Sequence, residues 1–189
     1  MAKSSAQDWI DSVDEALVEL RKTCSQVYMA GLSMGGTLYL FTAAVHAEVI
    51  KGAIPINAVV RIGKADMAAL AFDHLLPATV PGIGSDVKNP GSEKLSYTEV
   101  PVPAFRQVYV LAAVTHDLLP RIKCPTLVIQ SREDHVVDPT NGPRIVRGVG
   151  SDRAELLWLN DSYHVATIDN DNALIAERTI AFVRSIAGR

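Results

Sequence analysis

The run Gly31-Leu32-Ser33-Met34-Gly35 constrains what this chain can fold into more than any other feature. It follows the apolar residues Val27 to Ala30 and leads into a helix-like segment, Gly35 to His46. A serine between two glycines at a strand-to-helix junction can occupy a turn too sharp for bulkier neighbours. Glycine and serine each make up about 7% of residues, so the triplet arises by chance in roughly one chain of this length in twenty. Its placement between strand and helix is what gives it weight. A strand buried on both faces that enters a helix at once belongs to a parallel sheet covered by helices.

The rest of the chain continues that pattern. Asp8 to Thr23 reads as an amphipathic helix, with Trp9, Ile10, Val13, Ala16, Leu17 and Leu20 on one face and Asp8 as its N-cap. Gln26 to Leu32 is the first strand, Gly52 to Val60 the second, Pro125 to Gln130 the third and Ala154 to Leu159 the fourth. Ala173 to Ile186 is a closing helix. The predicted fold is α/β: a parallel sheet of about four strands flanked by helices. Between Arg61 and Arg121 the pattern breaks. Lys64 to Leu76 and Ala104 to Val114 are helical in character, but Pro77 to Pro103 holds five of the ten prolines and has little periodicity. Such stretches inside a domain serve as lids or binding loops. Residues 61–121 are therefore expected to form a cap inserted into a single domain spanning 1–189.

Parallel sheets gather their chemistry at the carboxyl ends of the strands. Ser33 ends the first strand, Asp134 lies just beyond the third and His164 just beyond the fourth. A nucleophile, an orienting acid and a base in that chain order form a serine triad. Asp138 is an alternative acid, although it falls later in the loop beside Pro139. His135 adjoins the acid and reads as a solvated loop residue. His46, His74 and His116 fall in helical or cap segments and read as partly exposed polar positions. No His-x-x-x-His or paired-cysteine spacing suggests a metal, and no cofactor is expected.

A net charge of -3 without a basic run argues against nucleic acid and anionic membrane as partners. The apolar stretches are strand-length, too short to span a bilayer. The opening Met-Ala-Lys-Ser-Ser lacks the apolar core of a signal peptide. Cys24 and Cys124 make no disulfide framework, and a strand between them would hold them apart as free thiols; both points fit a reducing cytoplasm.

Gly31-Leu32-Ser33-Met34-Gly35-Gly36, Asp134-x-x-Val137-x-Pro139 and Ser162-Tyr163-His164-Val165 together resemble bacterial carboxylesterases and monoacylglycerol lipases of the α/β-hydrolase superfamily. The resemblance implies ester hydrolysis through an acyl-enzyme: Ser33 attacks, His164 moves the proton and Asp134 holds the imidazole. It also implies that the Met34 N–H is an oxyanion-hole donor. The expected substrate is an ester of short to medium acyl chain, with Leu70, Phe72, Leu75, Leu76, Phe105 and Val108 lining its pocket. Acyl transfer or carbon–carbon bond hydrolysis could use the same triad.

Complete members of the superfamily place about four strands before the serine turn, and an early loop, often with a His-Gly segment, supplies a second oxyanion donor. This chain starts at the helix before that turn and has no His-Gly pair. The chain is thus expected to be N-terminally short. Val27, Tyr28 and Met29 would then form an open edge, through which, or through the Asp8 to Thr23 helix, copies would associate. A weakly active, hydrolase-like binding module is the reading from another class.

Overall fold

A computed structural model of the protein describes residues 4–63, 77–92 and 95–187. The helix expected over Lys64 to Leu76 lies outside these residues, and with it Leu70, Phe72, His74, Leu75 and Leu76. The elements are α1 (Ala6–Leu20), β1 (Val27–Leu32), α2 (Met34–Val45), β2 (Ile50–Ile56), β3 (Thr79–Pro81), β4 (Glu99–Pro101), α3 (Val102–Leu118), β5 (Thr126–Ser131), α4 (Asn141–Gly148), β6 (Ala154–Leu159) and α5 (Asn172–Ala187). One-turn 3₁₀ segments occupy Leu119–Arg121 and Ala166–Ile168.

Four strands form a parallel sheet in the order β1-β2-β5-β6. Side chains alternate between its faces. Leu127 and Ile129 of β5 pack with Ile54, Phe182 and Ile186 beneath α5. Val128 joins Leu17, Leu40, Ala43 and Ile145 under α1, α2 and α4 on the opposite face. Burying one such Leu or Ile contributes roughly 1.5–3 kcal/mol, so these two layers hold the sheet between helices and fix where its strand ends point. The predicted parallel sheet flanked by helices is the fold observed.

Several elements depart from expectation in detail. The N-cap of α1 is Ser5 rather than Asp8: the Ser5 Oγ accepts the Asp8 N–H at 3.2 Å, and Asp8 Oδ2 accepts the Ser5 N–H at 2.7 Å. This reciprocal box satisfies two open donors, which moves the helix start three residues back. β1 is not buried on both faces. Val27 and Met29 are buried but Ala30 is exposed, because among the described residues β1 pairs only with β2. β2 stops at Ile56, not Val60, since Asn57 takes a φ of 45° that ends extended backbone. The proline-rich stretch contains a short antiparallel pair, β3 with β4. α3 runs longer than expected in both directions, and α4 was not anticipated: its eight residues, with Pro143 in the first turn, are too short to show helical periodicity. β2 lies between β1 and β5, so Cys24 and Cys124, which precede those two strands, are held apart as free thiols. Burial pushes the Cys124 thiol up to about 11.

Candidate active site

The three candidate residues stand at the carboxyl ends of β1, β5 and β6. Ser33 connects β1 directly to α2 with φ 55° and ψ −124°. A non-glycine residue in such backbone costs about 1–3 kcal/mol and persists only where its surroundings hold it. Two main-chain bonds do so here: the Ser33 N–H donates to Ile56 at 2.8 Å, and its carbonyl accepts the Thr37 N–H at 3.1 Å. Tight packing enforces Gly31 and Gly36. A Cβ on Gly31 would lie 2.7 Å from the Tyr39 ring, and one on Gly36 would lie 2.7 Å from the Gly31 carbonyl oxygen. A Cβ on Gly35 would meet nothing within 4 Å among the described residues. The second close approach thus falls one residue later than the Gly-x-Ser-x-Gly spacing suggests.

His164 is buried in the loop after β6. Its Nδ1 donates to both carboxylate oxygens of Asp134, each at 3.0 Å. Asp134 Oδ1 also accepts the N–H groups of Val136 and Val137 at 2.9 and 2.8 Å. An ionised carboxylate only accepts, so Nδ1 carries the imidazole proton and Nε2 presents a lone pair. That lone pair accepts the Ser33 hydroxyl at 2.9 Å. Met34 is the first residue of α2, where an N–H has no carbonyl of its own helix to bond and the helix dipole favours negative charge.

Sequence reasoning missed the residues that hold this arrangement. Asn57, fully buried at the end of β2, donates from Nδ2 to the His164 carbonyl at 2.8 Å and to Ser131 Oγ at 3.0 Å. Its Oδ1 accepts the Ser131 N–H at 2.7 Å, so one amide joins three strand ends. A lone asparagine closing an apolar strand is the signal that could have found it. Asp169, also buried, accepts four main-chain N–H groups: Lys88 and Tyr163 on Oδ2, Asn89 and Asn170 on Oδ1. Burial acts to raise its pKa, but these donors outweigh burial and hold it below the usual carboxylate value.

The other candidates are placed elsewhere. Asp138 accepts the Thr140 N–H at 2.8 Å, the contact that chiefly lowers its pKa, and His164 bonds Asp134 instead. His135 is exposed but engaged: its Nδ1 meets Asp86 at 2.8 Å, which raises its pKa, and its ring packs edge-on against Tyr163. His46 pairs with Asp14 and His116 with Asp117. Among the described residues no group of three His, Cys, Asp or Glu side chains could hold a metal, and no helix is long and apolar enough to cross a membrane. Beside Ser33 and Met34 opens a cavity of about 470 Å³, walled by Ile83, Val100, Phe105, Val108, Tyr109, Val136 and Val137. Phe105 and Val108 were expected there.

The family model described as "Serine aminopeptidase, S33" (Hydrolase_4), an α/β-hydrolase family, matches residues 2–171. The chain belongs to this family. It is 41% identical over 188 residues to a thermostable monoacylglycerol lipase from Bacillus sp. (strain H-257), covering all of this chain and 74% of that protein. A carboxylesterase of Bacillus subtilis is 22% identical, covering 98% of this chain and 75% of that protein. Among solved structures, one from a study of the metagenome-derived lipolytic enzymes LipS and LipT superimposes with a TM-score of 0.94. It is 50% identical and covers 97% of this chain and 75% of its own. The monoacylglycerol lipase of Paleococcus ferrophilus, 16% identical, shares the fold with a TM-score of 0.77 over 94% of this chain and 74% of its own. This family member is a lipase- or esterase-type hydrolase and a homologue of monoacylglycerol lipase.

Proposed function

We propose that the chain hydrolyses carboxylic esters of short to medium acyl chain, monoacylglycerols among them, through an acyl-enzyme on Ser33. One observation carries the reading: a continuous hydrogen-bonded line from Ser33 through His164 to Asp134, opening onto an apolar cavity. The printed names of the relatives, monoacylglycerol lipase and carboxylesterase, support it.

In this mechanism Ser33 Oγ attacks the ester carbonyl as its proton passes to Nε2 of His164. Asp134 keeps the imidazole in the tautomer that can accept and stabilises the imidazolium that forms. The Met34 N–H donates to the oxygen on which charge develops. The C–O bond to the alcohol breaks, and the alcohol leaves with the proton from Nε2. Water then repeats the sequence on the acyl-serine, releasing the carboxylic acid and restoring Ser33.

The acyl chain lies in the cavity, where α3 and the segment around Ile83 act as part of a cap of about residues 61–121. The two unpaired cysteines support a cytoplasmic setting. The open side of β1 supports association of the 189-residue chain with a second copy. Assays with p-nitrophenyl esters and glycerol monoesters test the activity. Turnover that disappears in Ser33→Ala is expected; a folded wild-type chain that cleaves none of these esters would contradict it.

A further inference from the structure

Asp86 lies 78 positions before His164, between β3 and β4, yet it grips the histidine's main chain. Its Oδ2 accepts the His164 N–H at 3.0 Å, and its carbonyl oxygen accepts the next N–H, that of Val165, at 3.2 Å. The other carboxylate oxygen meets His135 Nδ1 at 2.8 Å. Asp86 has a φ of 37°, a conformation in which asparagine and aspartate are enriched and bulkier residues are strained. Its side chain is only 13% exposed and is not part of the cavity wall. Asp169 fastens the same stretch a second time, through Lys88, Asn89 and Tyr163.

On the other side of His164, Asn57 donates to its carbonyl at 2.8 Å. The N–H and C=O of one residue are therefore both held, the first by Asp86 and the second by Asn57. Fixing both sets the backbone angles, and these set the direction of the Cα–Cβ bond. The imidazole must meet Asp134 with one nitrogen and Ser33 with the other, so small errors in that direction break the line. A misplacement of about 1 Å can cost on the order of 10²-fold in rate.

We propose that Asp86 is a positioning residue for His164: by clamping its backbone N–H, Asp86 keeps the imidazole aligned between Asp134 and Ser33, and so couples the segment between β3 and β4 to catalysis. The proposal rests on the reading of His164 as the catalytic base. Two variants separate the clamp from backbone strain. Asp86→Asn keeps a side-chain oxygen and tolerates the positive φ; Asp86→Gly keeps only the tolerance.

With a soluble p-nitrophenyl ester, Asp86→Asn should stay within about threefold of wild-type kcat. Asp86→Gly should lose about tenfold or more in kcat with KM within about twofold. Amide hydrogen exchange at His164 should be slow in the wild type and in Asp86→Asn, and faster in Asp86→Gly. Wild-type kcat in Asp86→Gly would overturn the proposal, as would equal losses in both variants or a loss confined to KM. Exchange in the wild-type protein needs no folded variant: a His164 amide as fast as exposed loop amides overturns the clamp by itself. His164→Ala is assayed alongside. If it turns over ester like the wild type, the base reading falls and takes this proposal with it. If it is inactive while Asp86→Gly is not impaired, only the clamp fails.

Discussion

Nε2 of His164 stands 2.9 Å from Oγ of Ser33 across 131 residues of sequence. Parallel topology is what closes that distance, because strands running the same way deliver their carboxyl ends to one rim. If the pair and Asp134 act as one unit, Ser33→Ala and His164→Ala should each lower kcat by about 10⁶-fold, and Asp134→Ala by about 10⁴-fold. Asp138→Asn should remain within a fewfold of wild type, since Asp138 caps Thr140 and His164 is bonded to Asp134. Steady-state kinetics on the four variants checks this. An Asp138→Asn loss equal to that of Asp134→Ala would contradict the assignment of the acid.

Acid stability should depend on Asp169. Its folded pKa lies below the usual carboxylate value, so the unfolded chain binds the proton more readily than the folded one. The carboxylate's stabilising contribution is therefore present above that value and lost as pH falls through the folded pKa. Asp169→Asn presents an NH₂ group to main-chain donors and should cost at least about 2 kcal/mol at neutral pH, or about 4–8 °C in Tm. Its Tm should also fall less steeply than the wild type's below about pH 4. Calorimetry across pH 3 to 7 measures both; parallel pH profiles would show that Asp169 does not contribute this way.

The cavity beside Ser33 predicts a dependence on acyl length. Each buried methylene contributes about 0.8 kcal/mol, so kcat/KM should rise by up to about fourfold per CH₂ until the pocket is filled. Val108→Trp projects bulk into that space and should shorten the preferred acyl chain while sparing acetate esters. A variant with an unchanged chain-length profile would place the acyl group elsewhere.

β1 has β2 on one side and no strand of the described chain on the other. Light scattering of the purified 189-residue chain should give the mass of a dimer or larger assembly, and Met29→Lys or Ala30→Pro should shift it toward monomer. A monodisperse monomer of wild type at tens of micromolar would rule out this edge as an interface.

The sequence made the sheet and the three strand-end residues legible because both depend on local signals. An apolar run marks each buried strand, and Gly31, Ser33 and Gly35 mark a sharp turn, although the second close approach falls on Gly36. Most of what escaped was set by partners distant in sequence. The end of β2 is fixed by the positive φ of Asn57 and its bonds to Ser131 and His164, which strand periodicity does not encode. His135 looked idle because its partner, Asp86, lies 49 positions away. Ser5 was overlooked as a cap because Asp8 carried the stronger side-chain signal, and only their reciprocal bonds show which residue begins the helix.

Covalent labelling by a fluorophosphonate, read by mass spectrometry of the proteolysed protein, measures whether Ser33 is an activated nucleophile. An activated serine reacts at the hydroxyl whose proton the imidazole can take. One adduct per chain is expected, on the peptide containing Ser33, abolished in Ser33→Ala and strongly slowed in His164→Ala. An adduct on another serine, or labelling of Ser33 at the same rate without His164, would contradict it.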